Sequence, residues 1–165
     1  RLAGAYLVSK LGSGGVIAEF EGIPGASASY ERGKGFNDAL AAHQNLRVTT
    51  REVANFNRDE ARAAMSRLLA QNQPFAAIFA HNDRMILGVM DALQNYPGPR
   101  PLLVGFDAIP EALQALREGK IAATVAQKPE LMGALAVDTA IKVLRGEPVP
   151  PNIAVELDLI EASSH

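Results

Sequence analysis

Five side chains stand out as able to hold a small polar molecule: Arg32, Phe56, Asn82, Asp107 and Gln127. They follow one another at intervals of 24, 26, 25 and 20 residues. Each interval is about one strand–helix unit, so repeated units would bring all five to one rim of a sheet. Arg, Asn, Asp and Gln are planar groups that make paired hydrogen bonds. Phe56 offers an apolar face. A sugar presents the matching needs: hydroxyls that donate and accept, and a C–H face that packs on an aromatic ring. Ionised Asp107 only accepts and Arg32 only donates, so together they can polarise one hydroxyl network. No general acid–base pair accompanies them, so the set suits binding and no catalytic residue is assigned.

Plainer roles are open at each position. Asn82 and Asp83 both fit the cap of a following helix, the reading taken here for Asp83. Asp107 fits the ordering of a turn before Pro110. Phe56 fits a core residue or a hydrophobic staple. Gln127 lies between an apolar strand and Pro129, where position decides nothing, and Arg32 fits an exposed helix charge. Gly33 and Gly35 cost that helix about 1 kcal/mol each relative to Ala. Close packing against the sheet or a ligand would account for both.

The elements that must position these residues alternate in period. Strand-like runs lie at Gly15–Glu21, Leu46–Val53, 75–80, 101–106 and 121–126, with a weaker one at 153–160. Several are near-continuous apolar segments, as in strands buried on both faces of a parallel sheet. Helical spacing marks 58–71 through Ala61, Ala64, Met65, Leu68 and Leu69, and 83–95 through Ile86, Val89, Met90 and Leu93. Pro110 and Gly119 frame a short helix at 110–118, and Pro129 and Gly146 frame the next. That last helix carries an apolar stripe of Val137, Ala140, Ile141 and Leu144. A first helix at 2–11 begins at the chain end, with no N-cap and no strand before it. The alternation predicts an α/β fold, a doubly wound parallel sheet of Rossmann-like or flavodoxin-like type with right-handed crossovers. In such sheets ligands bind beyond the carboxyl ends of the strands, where all five residues fall.

Composition removes other classes. Of 165 residues 48% are hydrophobic and 21% charged, an ordinary globular balance. No apolar run approaches the roughly 20 residues of a membrane helix. A formal charge of −2 with no basic stripe argues against nucleic acid as a partner. Cysteine is absent, which removes disulfides and thiolate chemistry. Gly12-Ser13-Gly14-Gly15 stands between a helix and a strand, the reverse of a dinucleotide fingerprint. Gly33-Lys34-Gly35 lacks both the Ser or Thr after the lysine and the upstream glycine, which is Ala28. His43, His81 and His165 have no metal-site spacing and no acidic cluster, so neither metal nor cofactor is expected.

At these positions the sequence resembles the sugar-binding proteins of ABC transporters, of the ribose-binding type. The resemblance rests on EGIPG at 21–25, YERGKGF at 30–36, HND at 81–83, VGFD at 104–107 and GKIAATVAQ at 119–127, in order along the chain. It implies a lobe of the type I periplasmic binding fold, in which two α/β lobes close on a monosaccharide. It implies ligand contacts at Arg32, Phe56, Asn82, Asp107 and Gln127. Hexose-binding relatives more often have Trp and Asn where Phe56 and Gln127 stand, which points to a pentose such as ribose. An ABC permease as partner and export to the periplasm follow from the same resemblance.

Where the chain departs from that family, a whole first lobe is missing, and the chain reads as truncated at its N-terminus. The expected division is a sugar-binding lobe of residues 1–127 plus 157–165, and a helix-and-crossover segment, 128–156, that in the family packs on the other lobe. That segment would fold back, swap into a second copy as a homodimer, or meet a separate chain. The alternative is the effector-binding half of a lac-repressor-type regulator, which shares the fold. Residues 117–124 look like the transporter branch, since repressors have a longer connector before Gly-Phe-Asp and a Leu-Thr-Thr-Val type of strand.

Overall fold

The computed structural model describes residues 1–162. His165 and the end of the expected 157–165 segment lie outside the described residues. The elements run α1 (Leu2–Lys10), β1 (Gly15–Glu21), α2 (Ser27–Leu40), β2 (Leu46–Val53), α3 (Arg58–Ala70), β3 (Ala77–Ala80), α4 (Asp83–Ala92), β4 (Leu102–Asp107), α5 (Pro110–Arg117), β5 (Ala123–Ala126), α6 (Pro129–Leu144) and β6 (Asp158–Glu161). This is the expected α/β alternation.

The six strands form one sheet in the order β2-β1-β3-β4-β5-β6. β1 through β5 are parallel. The chain steps outward from β1 to β2, then returns across to β3, so helices must lie on both faces. Two buried clusters confirm the layering. One joins Ala3, Leu7, Phe36 and Leu40 of α1 and α2 to Ile17, Phe79 and Val104 of the sheet. The other joins Met65 and Leu68 of α3, Ile86 and Val89 of α4, and Ala112 of α5 to Phe20 and Ile78. The change of direction between β1 and β3 opens the crevice at their carboxyl ends.

Local signals explain several boundaries. Asn57 caps α3, its side chain accepting from the N–H groups of Asp59 and Glu60. Pro110 opens α5, and Gly119 and Gly146, both at positive φ, follow the ends of α5 and α6. α4 is shorter than expected because its last turn gives way at Leu93.

The last strand departs from expectation in place and direction. It spans Asp158–Glu161 rather than 153–160, and it pairs antiparallel with β5. A parallel neighbour needs a crossover packed on the sheet. α6 makes none: it buries no residue, and Val137, Val143 and Leu144 are exposed. The chain therefore re-enters the sheet from the end it left.

Candidate ligand-binding site

β1 ends at Glu21, and α2 brings Arg32 back over the crevice. The Arg32 guanidinium sits over two rings, its carbon 3.9 Å from the Phe106 centroid and 5.8 Å from that of Phe56. Nη1 donates to the His81 carbonyl at 2.6 Å and faces Asp107 Oδ1 at 3.2 Å. Arg32 is thus fixed by a strand exit, an acid and two aromatic faces, and it is not an exposed helix charge.

Asp107 closes β4, and Gln127 follows β5, the neighbouring strand. Gln127 Nε2 donates to the same Asp107 Oδ1 at 2.5 Å. The second carboxylate oxygen and the Gln127 amide oxygen have no partner among the described residues, so both can accept from a ligand hydroxyl. Burial pushes the Asp107 carboxyl up from the usual range, opposed by Arg32 and by the Gln127 hydrogen bond. Arg32 is shifted down by its own burial and held back by Asp107.

Asn82 and Phe56 stand across from this cluster. Asn82 caps α4, its Oδ1 accepting from Met85 N–H at 3.0 Å, and its Nδ2 reaches the Phe56 carbonyl at 3.4 Å. One amide N–H remains for a ligand. The Phe56 ring is half-buried against the core and sits over Gly22, where a Cβ would fall 2.0 Å from the ring tip. Phe56 and Asp107 both have positive φ, 59° and 116°. That backbone is uncommon for residues with a side chain and tends to cluster at ligand clamps. Arg32, Asp107 and Gln127 form one hydrogen-bonded cluster, and Phe56 and Asn82 form a second joined to it through Arg32.

Asp83 does not have the capping role expected of it. Asn82 takes that role, and the Asp83 side chain points into the protein, where Oδ2 accepts from Ile109 N–H at 2.9 Å and Oδ1 from Thr124 at 2.7 Å. As the first residue inside α4 it lies on the buried face, out of reach of its own helix's free N–H groups.

Sequence reasoning missed three contributors. Phe106 stacks on Arg32, although as a strand residue it read as core. Glu19 and His81 form a buried pair, Nε2 to Oε1 at 3.0 Å. Gly22 N–H donates to His81 Nδ1 at 3.3 Å, and Ser29 Oγ lies at the same distance from that nitrogen. Asn37 and Arg51 complete the shell of Glu19. Gly33 permits the approach, since a Cβ there would lie 3.1 Å from the imidazole. The signal was Glu19, an acid between apolar neighbours in the strand GVIAEFE. Among the described residues no acidic or histidine cluster is arranged for a metal.

Comparison with known proteins bears on the fold and the family. Residues 1–148 match the periplasmic binding protein domain family. The ribose import binding protein of Bacillus subtilis is 43% identical over 158 residues, covering 96% of this chain and 51% of that protein. Its Escherichia coli counterpart is 42% identical, covering 97% of this chain and 54% of that protein. Among solved structures, an ABC transporter periplasmic solute binding protein from Actinobacillus succinogenes with bound D-allose superposes with a TM-score of 0.88 at 28% identity, over 98% of this chain and 57% of that one. The binding protein of an arabinose ABC transporter from Shewanella, bound to L-arabinofuranose, gives 0.88 at 32%, over 98% and 55%. The chain spans about half the length of the curated relatives it matches. With a doubly wound sheet, a polar cluster at the carboxyl ends of its strands and a match over nine-tenths of its length, this chain belongs to the periplasmic binding protein domain family.

Proposed function

We propose that this chain forms one wall of a monosaccharide site in the solute-binding component of an ABC sugar importer, and that the sugar is a pentose such as ribose. One observation carries the reading. Arg32, Asp107 and Gln127 meet at the carboxyl ends of β4 and β5, with one oxygen each of Asp107 and Gln127 free among the described residues and the Phe56 ring beside Arg32. The names of the relatives, ribose import binding proteins, support the same ligand class. They do not favour the regulator alternative.

The opposite wall comes from a second lobe. α6 supports this, because a 16-residue helix that buries none of its residues has its apolar stripe free for one. Residues 128–156 are the segment that reaches it, in this polypeptide, in a second copy or in a separate chain. A permease partner and a periplasmic location complete the reading.

With one wall, affinity for sugar is weak, on the order of millimolar. An NMR titration of the isotope-labelled chain with D-ribose, D-allose and D-glucose tests the site. Saturable shifts at residues 32, 56, 82, 107 and 127, strongest for ribose, are expected. Absence of saturable shifts with any sugar would refute the site, and tight binding by this chain alone would refute the need for a second wall.

A further inference from the structure

Behind Asp107 stands a second acid that the ligand site does not explain. The Asp83 side chain is fully buried. Its burial pushes its carboxyl up, and hydrogen bonds from Thr124 and from the backbone at Ile109 and Ala108 oppose that push. A helix cap would not require this burial, and Asn82 already caps α4. An apolar residue would fill the slot without a desolvation cost. What an apolar residue could not do is hold the backbone that follows β4.

That backbone is unusual. Asp107 and Ala108 have φ of 116° and 57°, two successive residues with side chains in a region that favours glycine. Such a turn persists only where its surroundings over-determine it. Here they do. Ile109 N–H donates to Asp83 Oδ2 at 2.9 Å, Ala108 N–H reaches Thr124 Oγ1 at 3.4 Å, and Thr124 Oγ1 donates to Asp83 Oδ1 at 2.7 Å. The two N–H groups after Asp107 are therefore gathered by one buried carboxylate–hydroxyl pair. β4 leaves room for it: a Cβ on Gly105 would lie 2.1 Å from Asp83 Oδ1. The Asp107 carboxylate projects from the clamped turn towards Arg32 and Gln127.

We infer that Asp83, together with Thr124, is a positioning residue for the ligand site, holding the strained 107–108 turn so that Asp107 presents its carboxylate to the sugar. This rests on the sugar-site reading for its purpose, but not for its geometry.

The test uses Asp83→Ala, Asp83→Asn and Thr124→Val in the isotope-labelled chain. Two readouts need no sugar. Backbone coupling constants and carbon shifts of Ala108 report its positive φ, and the Gln127 side-chain amide reports the place of Asp107. Asp83→Ala and Thr124→Val should each shift both and weaken D-ribose binding about tenfold. Asp83→Asn keeps an acceptor for Ile109 N–H and reverses the Thr124 hydrogen bond, its amide donating to the hydroxyl, so it should rescue part of the effect. A core variant away from the site, Ala64→Gly, serves as the control: it should lower thermal stability and move neither readout. Should Asp83→Ala fail to fold, Thr124→Val carries the same expectation. The inference is overturned if Ala108 and the Gln127 amide are unmoved in Thr124→Val, or if Ala64→Gly moves them equally. If the parent chain shows no ribose binding while these resonances shift as expected, the sugar reading fails and the positioning role stands.

Discussion

Arg32 and Asp107 face each other at 3.2 Å across the exits of β1 and β4, and Arg32 is already tied to the His81 carbonyl. The guanidinium is held by the protein's own groups, so little side-chain entropy remains to be lost on binding.

Arg32→Lys keeps the charge but loses the planar fork and the stacking on Phe106. Affinity for D-ribose should fall about 10- to 100-fold, which is about 1.4–2.7 kcal/mol. Titration calorimetry or NMR measures it. Unchanged affinity would mean that charge alone matters at this position.

Asp107→Asn should separate stability from binding. The folded chain holds Asp107 with a raised pKa, so between the ordinary aspartate range and that higher value the folded state binds more protons than the unfolded one. The contribution of Asp107 to stability therefore falls as pH rises through this window. The neutral amide avoids that loss. Its urea midpoint should exceed the parent's at neutral pH, and the gap should close near about pH 3, where the acid is protonated in both states. Ribose binding should weaken in the same variant. A midpoint at or below the parent's at neutral pH would contradict the assignment.

Gly22→Ala places a methyl group where the Phe56 ring lies. The ring must move, and stability should drop by about 1–3 kcal/mol. Ribose affinity should fall with it. In a Phe56→Ala background the clashing ring is gone, so the stability cost of the same change should fall. Chemical denaturation of the four chains gives the coupling, and additive effects would place the clash elsewhere.

Val137→Lys combined with Leu144→Lys tests the uncovered face of α6. Both positions are exposed, 60% and 87%. The dilute chain should change in stability by no more than about 0.5 kcal/mol for each site. Static light scattering run in parallel reports association. A substantial loss of melting temperature together with a fall in molecular mass would show that α6 is packed against a second copy in solution.

Some of this was legible in the sequence for identifiable reasons. β1 appears where its largely apolar run begins and ends, β2 where its alternating run does, and α3 where its spacing and Asn57 cap place it. The convergence of Asp107 and Gln127 follows from their positions at the ends of adjacent strands. β6 was misplaced because apolar residues at 153–157 read as strand, although they belong to a return path with no partner to pair with. Asp83 was misread because capping is a local rule, whereas its partners Ile109 and Thr124 are 26 and 41 residues away. Glu19 and His81 escaped for the same reason. A buried carboxylate–imidazole contact is a relation between distant positions, and neither residue alone announces it.

The antiparallel return of β6 has a consequence for modularity. Ala126 and Asp158 are cross-strand partners, and Lys128 Nζ lies 3.1 Å from Asp158 Oδ2. The excursion of residues 127–157 therefore leaves and re-enters at a single neck, like a cassette inserted into a hairpin. Replacing it with a tight turn would leave β5 and β6 paired and the sheet intact. Gln127 is the first residue beyond the neck, so the root of the excursion and the side chain that touches Asp107 belong to the same residue.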